Sequence, residues 1–417
     1  MFNLPFKHAK SKSIYAVIGI LSTLGLTGCL HESEDNTLKI TEFNTIVAVK
    51  SEDSQSGALT IISKNDNDEE NVSNETGSQI PEEVTYTVSD AIDADKGDLI
   101  AITHENNVYM LGRSDMNYVT KYDLTAEEPF VWQYSVQDEG QTNESNPHDL
   151  VFVSKEKAYI IRYGSDKVWI VNPSAETEED FKIGEIDLSA YSDDDGLPEM
   201  TDGMIVNGKL YVLMQRLVTW TPDPNVPAYV AVIDINTDSE IDTGKGNSGL
   251  KGIPLNVSNP NSMQYLSTNQ TLYIDAAGKY FPTAEFIGGI TSIDLNTYDV
   301  SMILDDGDEA SHPYGQIYRL AILSSTRGYF VGYNAWQDND LYSFNPSTGE
   351  VDPIPLLEQK DIAALSIDPI GDLWIGNATD HGVSIIDTVT NEFKETLIDT
   401  TLNPINIDFV ILEEETN

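Results

Sequence analysis

Residues 229–238 read YVAVIDINTD, a run of apolar and β-branched residues that ends in Asp234 and a turn signal. A short run of this composition, bounded by Asn and Asp, is typical of a β-strand that leads into a hairpin. An Asx side chain at the end of such a strand accepts the backbone N–H two residues further on. The stretch therefore predicts one strand of a β-hairpin and its turn.

The same unit recurs along the chain as a short apolar strand with an aromatic residue and then a second strand that ends in Asp or Asn. The aromatic residues are Tyr109, Tyr159, Tyr211, Tyr273, Tyr329 and Trp374. The second strands cover 119–123, 169–172, 230–234, 290–294, 342–345 and 384–387. A weaker copy, 46–49 with 59–63, precedes an acidic low-complexity insert at 65–83. Since no long stretch has a helical period, the sequence predicts an all-β protein.

The repeat length predicts a β-propeller of seven four-stranded blades. Residues 40–413 give about 53 residues per repeat, close to the 40 to 50 of propeller blades with their loops. Eight blades, or six with an irregular N-terminal segment, are the alternatives. A strand that opens each repeat recurs once more at 405–412 with no blade after it. We expect this C-terminal strand to supply the inner strand of the first blade, which would leave no open edge in the ring.

Two of the repeats carry a family resemblance. YVAVIDINT at 229–237 and GVSIID at 382–387 resemble the repeat unit of YncE-like, YVTN-type bacterial seven-bladed propellers, although the literal YVTN tetrapeptide is absent. The similarity extends over nearly the whole mature chain through short, degenerate motifs. It implies the fold, but the family has no single shared reaction, and fold alone does not imply function. No catalytic residue follows from it.

The N-terminus has the pattern of an export signal. Lys7, Lys10 and Lys12 precede an apolar stretch at 14–26, and LTGC at 26–29 ends it. Thirteen apolar residues are too few for a stable spanning helix, and small residues precede Cys29 as cleavage requires. The segment resembles the lipobox of bacterial lipoproteins, in which the Cys is acylated; an ordinary signal peptide with an incidental Cys is the alternative. In Gram-negative lipoproteins Asp after the Cys marks inner-membrane retention, so Leu30 implies the outer membrane.

The sequence thus divides into three parts. Residues 1–28 are expected to be a lipoprotein signal peptide, 29–39 the lipidated Cys29 with a flexible tether, and 40–417 the propeller domain. One Cys allows no internal disulfide and no Cys-based zinc or iron–sulfur site.

The charge excludes further classes of protein. Lys and Arg total 23 against 69 Asp and Glu, a net charge of −46, which repels nucleic-acid phosphates and anionic lipids. Such a surface suits a salty habitat, where ions screen the self-repulsion; a specific cation-binding role is the alternative.

One face of the predicted ring gathers the candidate ligand-binding residues. The loops that enter the inner strands and those between the second and third strands of each blade share that face, which we call the rim. Aromatic walls with a few polar groups are typical of ligand sites, and Arg can clamp an anionic group. The predicted ligand-binding residues are Arg162, Tyr163, Arg216, Trp220, Tyr280, Tyr314 and Trp336. The alternative for each Arg is that it offsets nearby carboxylates.

Three histidines are predicted on the same rim: His148, His312 and His381. Imidazole nitrogens there would suit iron, copper, zinc or haem iron; the alternative is that the three are scattered around the ring and only bond to turns. Acidic runs at 193–195 and 305–309 offer oxygen ligands for calcium, but neither has EF-hand spacing, and solvated loops are the alternative.

Three functions remain open. The leading hypothesis is a non-catalytic, monomeric outer-membrane lipoprotein that captures a metal complex, siderophore or haem on the rim, beside an outer-membrane transporter. The second is a scaffold that docks other envelope proteins. The third is a propeller hydrolase or quinoprotein, although GxSxG, HExxH and Walker motifs are absent from the sequence. No cofactor can be named from the sequence.

Overall fold

The computed structural model describes residues 43–65, 84–89, 91–140, 143–281 and 283–411. Within these ranges the chain is all-β, with two short 3-10 helices, Glu178–Asp180 and Ser189–Tyr191. The predicted signal peptide, Cys29, the tether, most of the acidic insert and the last six residues lie outside the described residues. In the part of the chain that is described, no helix has the length and apolar character needed to cross a membrane.

The strands follow one another blade by blade. Blade 1 has β1 (Asn44–Lys50), β2 (Gly57–Asn65), β3 (Thr85–Val88) and β4 (Ile92–Ala94). Blade 2 has β5 (Leu99–His104), β6 (Asn107–Gly112), β7 (Tyr118–Asp123) and β8 (Phe130–Ser135). Blade 3 has β9 (Pro147–Ser154), β10 (Lys157–Arg162), β11 (Lys167–Val171) and β12 (Lys182–Asp187). Blade 4 has β13 (Met200–Val206), β14 (Lys209–Met214), β15 (Tyr229–Asp234), β16 (Ser239–Glu240) and β17 (Ile253–Pro254).

The remaining blades follow the same order. Blade 5 has β18 (Pro260–Leu266), β19 (Thr271–Ala276), β20 (Gly289–Asp294) and β21 (Val300–Leu304). Blade 6 has β22 (Gln316–Ser324), β23 (Arg327–Ala335), β24 (Asp338–Phe344) and β25 (Val351–Ile354). Blade 7 has β26 (Ile362–Ile367), β27 (Leu373–Asn377), β28 (Gly382–Asp387) and β29 (Glu392–Asp399), and β30 (Asn403–Val410) ends the described chain.

The sheets confirm a seven-bladed propeller. Each blade is an antiparallel sheet in which neighbours in sequence pair in order from the inner to the outer strand. In blades 1 and 4 the outer position is shared by two short strands, which both pair with the third strand. β30 pairs with β1 along its length, for example Val47 with Ile407. The C-terminal strand is therefore the inner strand of blade 1, as the sequence predicts.

The hydrophobic core is divided among the seven junctions between blades. Each of seven buried clusters joins one pair of neighbours, including blades 7 and 1. The repeated aromatic of the second strand is buried at these junctions: Tyr159 and Tyr329 are 0% exposed. Tyr159 Oη donates to Asp238 in the next blade, and Tyr329 Oη reaches Thr388 O at 3.2 Å, also in the next blade. The aromatic signature thus marks the contact between blades.

The Asx residues close the hairpins that they were expected to close. The side-chain oxygen of Asp234 accepts the N–H of Asn236 at 2.8 Å, and Asp387 accepts that of Val389 at 2.8 Å. The other four repeats show the same bond, from Thr125 to Asp123, Ser174 to Asn172, Asn296 to Asp294 and Ser347 to Asn345. The prediction made from the sequence is confirmed in all six copies.

Carboxylates link the inner strands around the channel. Asp149 Oδ2 accepts the N–H of Gly203 in the next blade at 3.0 Å, and Asp202 Oδ2 accepts that of Met263 at 2.6 Å. Asp408 of β30 accepts the N–H of Thr103 in β5 at 2.7 Å. Burial raises the pKa of Asp149 and of Asp408 to about 6. These side chains satisfy backbone donors that have no strand partner on the channel side.

Candidate functional site

The rim carries four exposed aromatic side chains on three adjacent blades. Trp220 is 65% exposed, Tyr280 41%, Phe281 80% and Trp336 74%. They lie in the loops between the second and third strands of blades 4, 5 and 6. We call these four residues the aromatic crescent. The other three tryptophans of the chain, Trp132, Trp169 and Trp374, are buried, so the crescent holds both exposed tryptophans.

A stack of three rings leads from the crescent towards the channel. The Tyr163 ring stacks on His148 with centroids 4.6 Å apart and faces Trp220 at 6.4 Å, both at interplanar angles of 21°. Tyr163 Oη donates to Gln215 Oε1 at 2.8 Å, and Gln215 Nε2 donates to Pro260 O at 2.9 Å. The hydrogen bonds fix the Tyr163 ring, so the stack is formed before any ligand arrives.

The loop that carries Trp220 has a strained backbone. Arg216, Thr219 and Trp220 all have positive φ, between 53° and 62°. Non-glycine residues adopt this conformation rarely, and such residues often accompany functional sites. The turn with these φ values carries Trp220, whose side chain is exposed.

The inner strands bulge where they enter the channel mouth. In blades 1, 3, 4, 5 and 7 one equivalent residue has no partner in the ladder: Ile405, His148, Thr201, Asn261 and Ala363. In blade 6 the bulge falls at Arg319, one position further along the strand. Bulges re-aim side chains and are common beside active sites.

The bulged residues are linked from blade to blade. The His148 ring hydrogen-bonds to the backbone of Thr201, and Thr201 Oγ1 donates to Asn261 O at 3.1 Å. Burial, aided by the positive charge of Arg113, lowers the pKa of His148 to about 3. His148 is therefore neutral at physiological pH and acts here as a ring that stacks and hydrogen-bonds.

Arg319 lies at the bulge of β22, the inner strand of blade 6. It is exposed, its backbone has φ +55°, and its guanidinium lies 5.5 Å from the centroid of the Tyr318 ring. Tyr318 and Tyr280 both pack edge-on against Tyr333. The aromatic crescent is thus connected to a cation on an inner strand. Arg319 was not among the residues predicted from the sequence, where a lone charge inside an apolar strand was the available signal.

The two predicted arginines are placed differently. Arg162 is 0% exposed; its guanidinium donates to Asp138 Oδ2 at 2.8 Å and Ser165 Oγ at 2.9 Å and lies over the Trp169 ring. Its remaining donors reach backbone oxygens, so Arg162 holds the loop and has no donor left for a ligand. Arg216 donates to Tyr191 O and Pro227 O. It positions the Trp220 loop.

The other predicted residues do not meet at one common site. Tyr314 packs edge-on against Phe330 and Tyr342 at the edge of the core of blades 5 and 6. His312 stacks on Phe286 at 4.0 Å, and His381 Nδ1 contacts Asn403 Oδ1. Each of the three predicted histidines has its own partner in a different part of the rim. Among the described residues, no group of three or more His, Cys, Asp or Glu is placed to hold a metal ion.

Glu199 is a buried acid that the sequence did not reveal. It is 0% exposed beside the Trp220 loop, and Oε2 accepts the N–H of Leu217 at 2.9 Å. No partner reaches the buried Oε1 among the described residues. Burial, with smaller contributions from Asp195 and Asp193, raises the pKa of this carboxyl to about 8. A single Glu before a strand carries no periodic signal, which is why sequence reasoning did not find it.

Comparison with known proteins finds structures of similar fold but assigns the chain to no family. No family model matches the chain, and no curated protein matches it in sequence. The chain is similar to Kuenenia stuttgartiensis hydrazine synthase (TM-score 0.50, 14% identity, 70% of this chain and 76% of that one). It is also similar to apo AztD from Citrobacter koseri (TM-score 0.47, 10% identity, 89% and 98%). Virginiamycin B lyase from Staphylococcus aureus is a third (TM-score 0.49, 12% identity, 75% and 91%). At these identities the likeness concerns the fold alone.

Proposed function

We propose that this propeller is a non-catalytic binding protein that captures a small ligand over the mouth of its channel. The aromatic crescent is the observation that carries the proposal. Soluble proteins seldom leave large aromatic side chains grouped in solvent without a binding role. The crescent shares the rim with the polar bulged residues His148, Thr201, Asn261 and Arg319 of blades 3 to 6. A few polar groups beside aromatic walls are the usual composition of a ligand site.

The side chains favour a flat or bulky apolar ligand of low charge. Trp220 and Trp336 offer ring faces, and Arg319 can pair with one carboxylate or other anionic group. A net charge of −46 opposes a ligand with several negative charges. Within the class of metal complexes, siderophores and haem, we therefore propose a neutral, cationic or singly anionic member. The chain would hold the ligand's organic shell, since the histidines do not meet around a metal.

Two further features belong to this proposal. We propose that the protein is a YVTN-type propeller, because the repeats at 229–237 and 382–387 resemble that unit. We also propose that Cys29 is acylated and anchors the protein in the outer membrane, beside a transporter that takes over the ligand. The lipobox-like LTGC sequence at 26–29 supports the anchor.

The crescent provides its own reporter for the binding experiment. Because only Trp220 and Trp336 among the five tryptophans are exposed, a soluble quencher acts chiefly on the rim. We expect haem, or a cationic ferric trihydroxamate complex, to change this fluorescence saturably in the full chain. Replacing Trp220, Phe281 and Trp336 together by Ala should weaken binding of that probe at least about tenfold, measured by calorimetry.

A matched pair of arginine variants tests the polar part of the site. Arg319→Gln should weaken binding of a carboxylate-bearing probe such as haem, whereas Arg327→Gln, in the blade 6 hairpin on the opposite face, should not. Equal affinity in the wild type, the triple variant and Arg319→Gln would refute the site. Loss in both arginine variants would point to general electrostatics instead.

A protein partner is the second candidate for the same surface. Exposed Trp, Tyr and Phe are also the side chains that dominate protein interfaces. If the crescent docks an envelope protein, the wild type should retain that partner from a membrane extract and the triple variant should lose it, while neither small probe changes the fluorescence.

A further inference from the structure

A second cavity lies on the outer side of the rim, between blades 4 and 5. It has a volume of about 310 Å³, within the range of small-molecule sites. Four segments form it: the end of the Trp220 loop, the strand entry at 255–258, the end of the Tyr280 loop and the outer strand β21 with the turn that follows. The crescent and the bulged channel residues are not among its walls.

Apolar side chains from both blades form one part of the cavity wall, and polar groups form the rest. Pro224 and Pro227 come from blade 4, and Val257, Phe286 and Met302 come from blade 5. Phe286 is held in place from behind, because the His312 ring stacks on it with centroids 4.0 Å apart and interplanar angle 10°. Proline rings and a stacked Phe lose little conformational freedom when a ligand binds, so these walls are preorganised.

The charge among the residues that line the cavity is negative. Asp305 is its only charged lining residue, and no Lys or Arg lines it within the described chain. Asp305 Oδ1 accepts the N–H of Gly307 at 2.8 Å, which uses one of about four acceptor positions on a carboxylate. The bond fixes the carboxylate at the edge of the cavity and leaves acceptor capacity for a ligand.

The neighbouring Asp306 adds an unused buried acceptor. It is 0% exposed, and Oδ2 accepts the N–H of Gly288, a lining residue, at 3.2 Å. No partner reaches Oδ1 among the residues that the structure describes. Burial raises the pKa of Asp306 to about 7. A buried carboxyl group with one unpaired oxygen is costly, and a cation in the adjoining cavity would reduce that cost.

We propose that this cavity binds a small organic cation with an apolar body, of the arylalkylammonium class. The apolar body packs between Pro227, Phe286 and Met302, and the ammonium group donates to Asp305. Neutral compounds of the same shape gain the apolar contact alone, and anions are repelled. The site is separate from the channel mouth, so the proposal goes beyond the function proposed for the crescent.

The test compares 2-phenylethylammonium with its neutral analogue 2-phenylethanol on the full chain, by titration calorimetry and ligand-observed NMR. The ammonium compound should bind at least about tenfold more tightly, the effect of one charge-assisted hydrogen bond. Asp305→Asn should remove that preference. Met302→Lys, which places a cation at a half-exposed wall position, should weaken the ammonium compound by a similar factor.

Each variant has a matched control in blade 7. Asp399 is the last residue of the outer strand β29, one position from the place of Asp305 after β21, and its Oδ1 accepts the N–H of Thr401 at 2.7 Å. Leu397 is 41% exposed on an outer strand, close to the 38% of Met302. Asp399→Asn and Leu397→Lys should leave both affinities unchanged.

Three outcomes would overturn the proposal. Equal binding of the amine and the alcohol would refute the ligand class. Equal effects of the blade 5 and blade 7 variants would show that the acidic surface attracts the cation without a site. Absence of binding would refute the cavity as a site, and in each case the crescent variants would still report on the channel mouth.

Discussion

At the scale of single residues, the buried Glu199 predicts that the stability of the fold depends on pH. Its pKa rises from 4.5 in the unfolded chain to about 8 in the fold. Between these values the folded state holds a proton that the unfolded state has released, so the free energy of unfolding falls as pH rises. Asp193, Asp195 and Arg216 are the charged groups around it. Between about pH 5 and pH 8 the wild type therefore loses stability that Glu199→Gln keeps. Over this range the free energy of unfolding of Glu199→Gln should rise by on the order of 3 kcal/mol relative to that of the wild type.

Urea unfolding at a series of pH values measures this gain. Glu179→Gln, at an exposed residue of a 3-10 helix, is the control and should follow the wild-type curve. The buried carboxylates of the inner strands also make the free energy of unfolding depend on pH. Their contribution is the same in every variant, so it cancels when the variants are compared. A Glu199→Gln curve parallel to the wild type would show that the carboxyl is not held protonated.

Single residues are also where sequence reasoning reached its limit. Trp220 and Trp336 were predictable on the rim because their loops interrupt a regular repeat. The burial of Arg162 was not predictable, because it depends on Asp138 and Trp169, which only the folded chain brings to the guanidinium. Phe281 lies in a loop outside any periodic pattern, so nothing local distinguished it from ordinary loop residues, and the only local signal for Arg319 was its charge inside an apolar strand.

At the scale of strands, ring closure depends on β30. It pairs with β1, and its Asp408 and Asn406 side chains accept N–H groups of Thr103 and Ala101 in blade 2. Deleting residues 403–417 removes the inner strand of blade 1 and opens an unpaired edge. We expect the cooperative thermal transition, followed by circular dichroism, to be lost. A chain that ends after Ile411 keeps β30 and should melt like the wild type; an unchanged transition in the longer deletion would contradict ring closure by this strand.

Strands were the most predictable level of this molecule. The third strand of a blade and its Asx turn depend on residues that are close in sequence, since Asp234 and its bond partner Asn236 lie two residues apart. The aromatic of the second strand is a local signature with a distant partner: Tyr159 meets Asp238 of the next blade. The repeat therefore predicted the blades and their closure. It did not predict the bulges at His148 and Arg319, which arise from the register of two paired strands.

At the scale of the whole molecule, the fold predicts which way the rim faces on a membrane. β1 is the second strand of blade 1, so the chain before Phe43 reaches the domain on the face opposite the rim. Thirteen residues separate Cys29 from Phe43, a reach of at most about 45 Å. With Cys29 acylated, the crescent should therefore point away from the bilayer, open to ligands or to a partner.

Energy transfer from tryptophan to dansyl-labelled lipid measures this orientation in liposomes. Val389, 85% exposed in a blade 7 turn on the face opposite the rim, is the comparison site. Val389→Trp, in a chain with Trp220→Phe and Trp336→Phe, should transfer energy more efficiently than the wild-type rim tryptophans. Cys29→Ser should abolish both transfer and the lipid mass on the intact protein. Stronger transfer from Trp220 and Trp336 would place the crescent against the membrane, where the apolar rings would serve as a lipid contact instead of a ligand site.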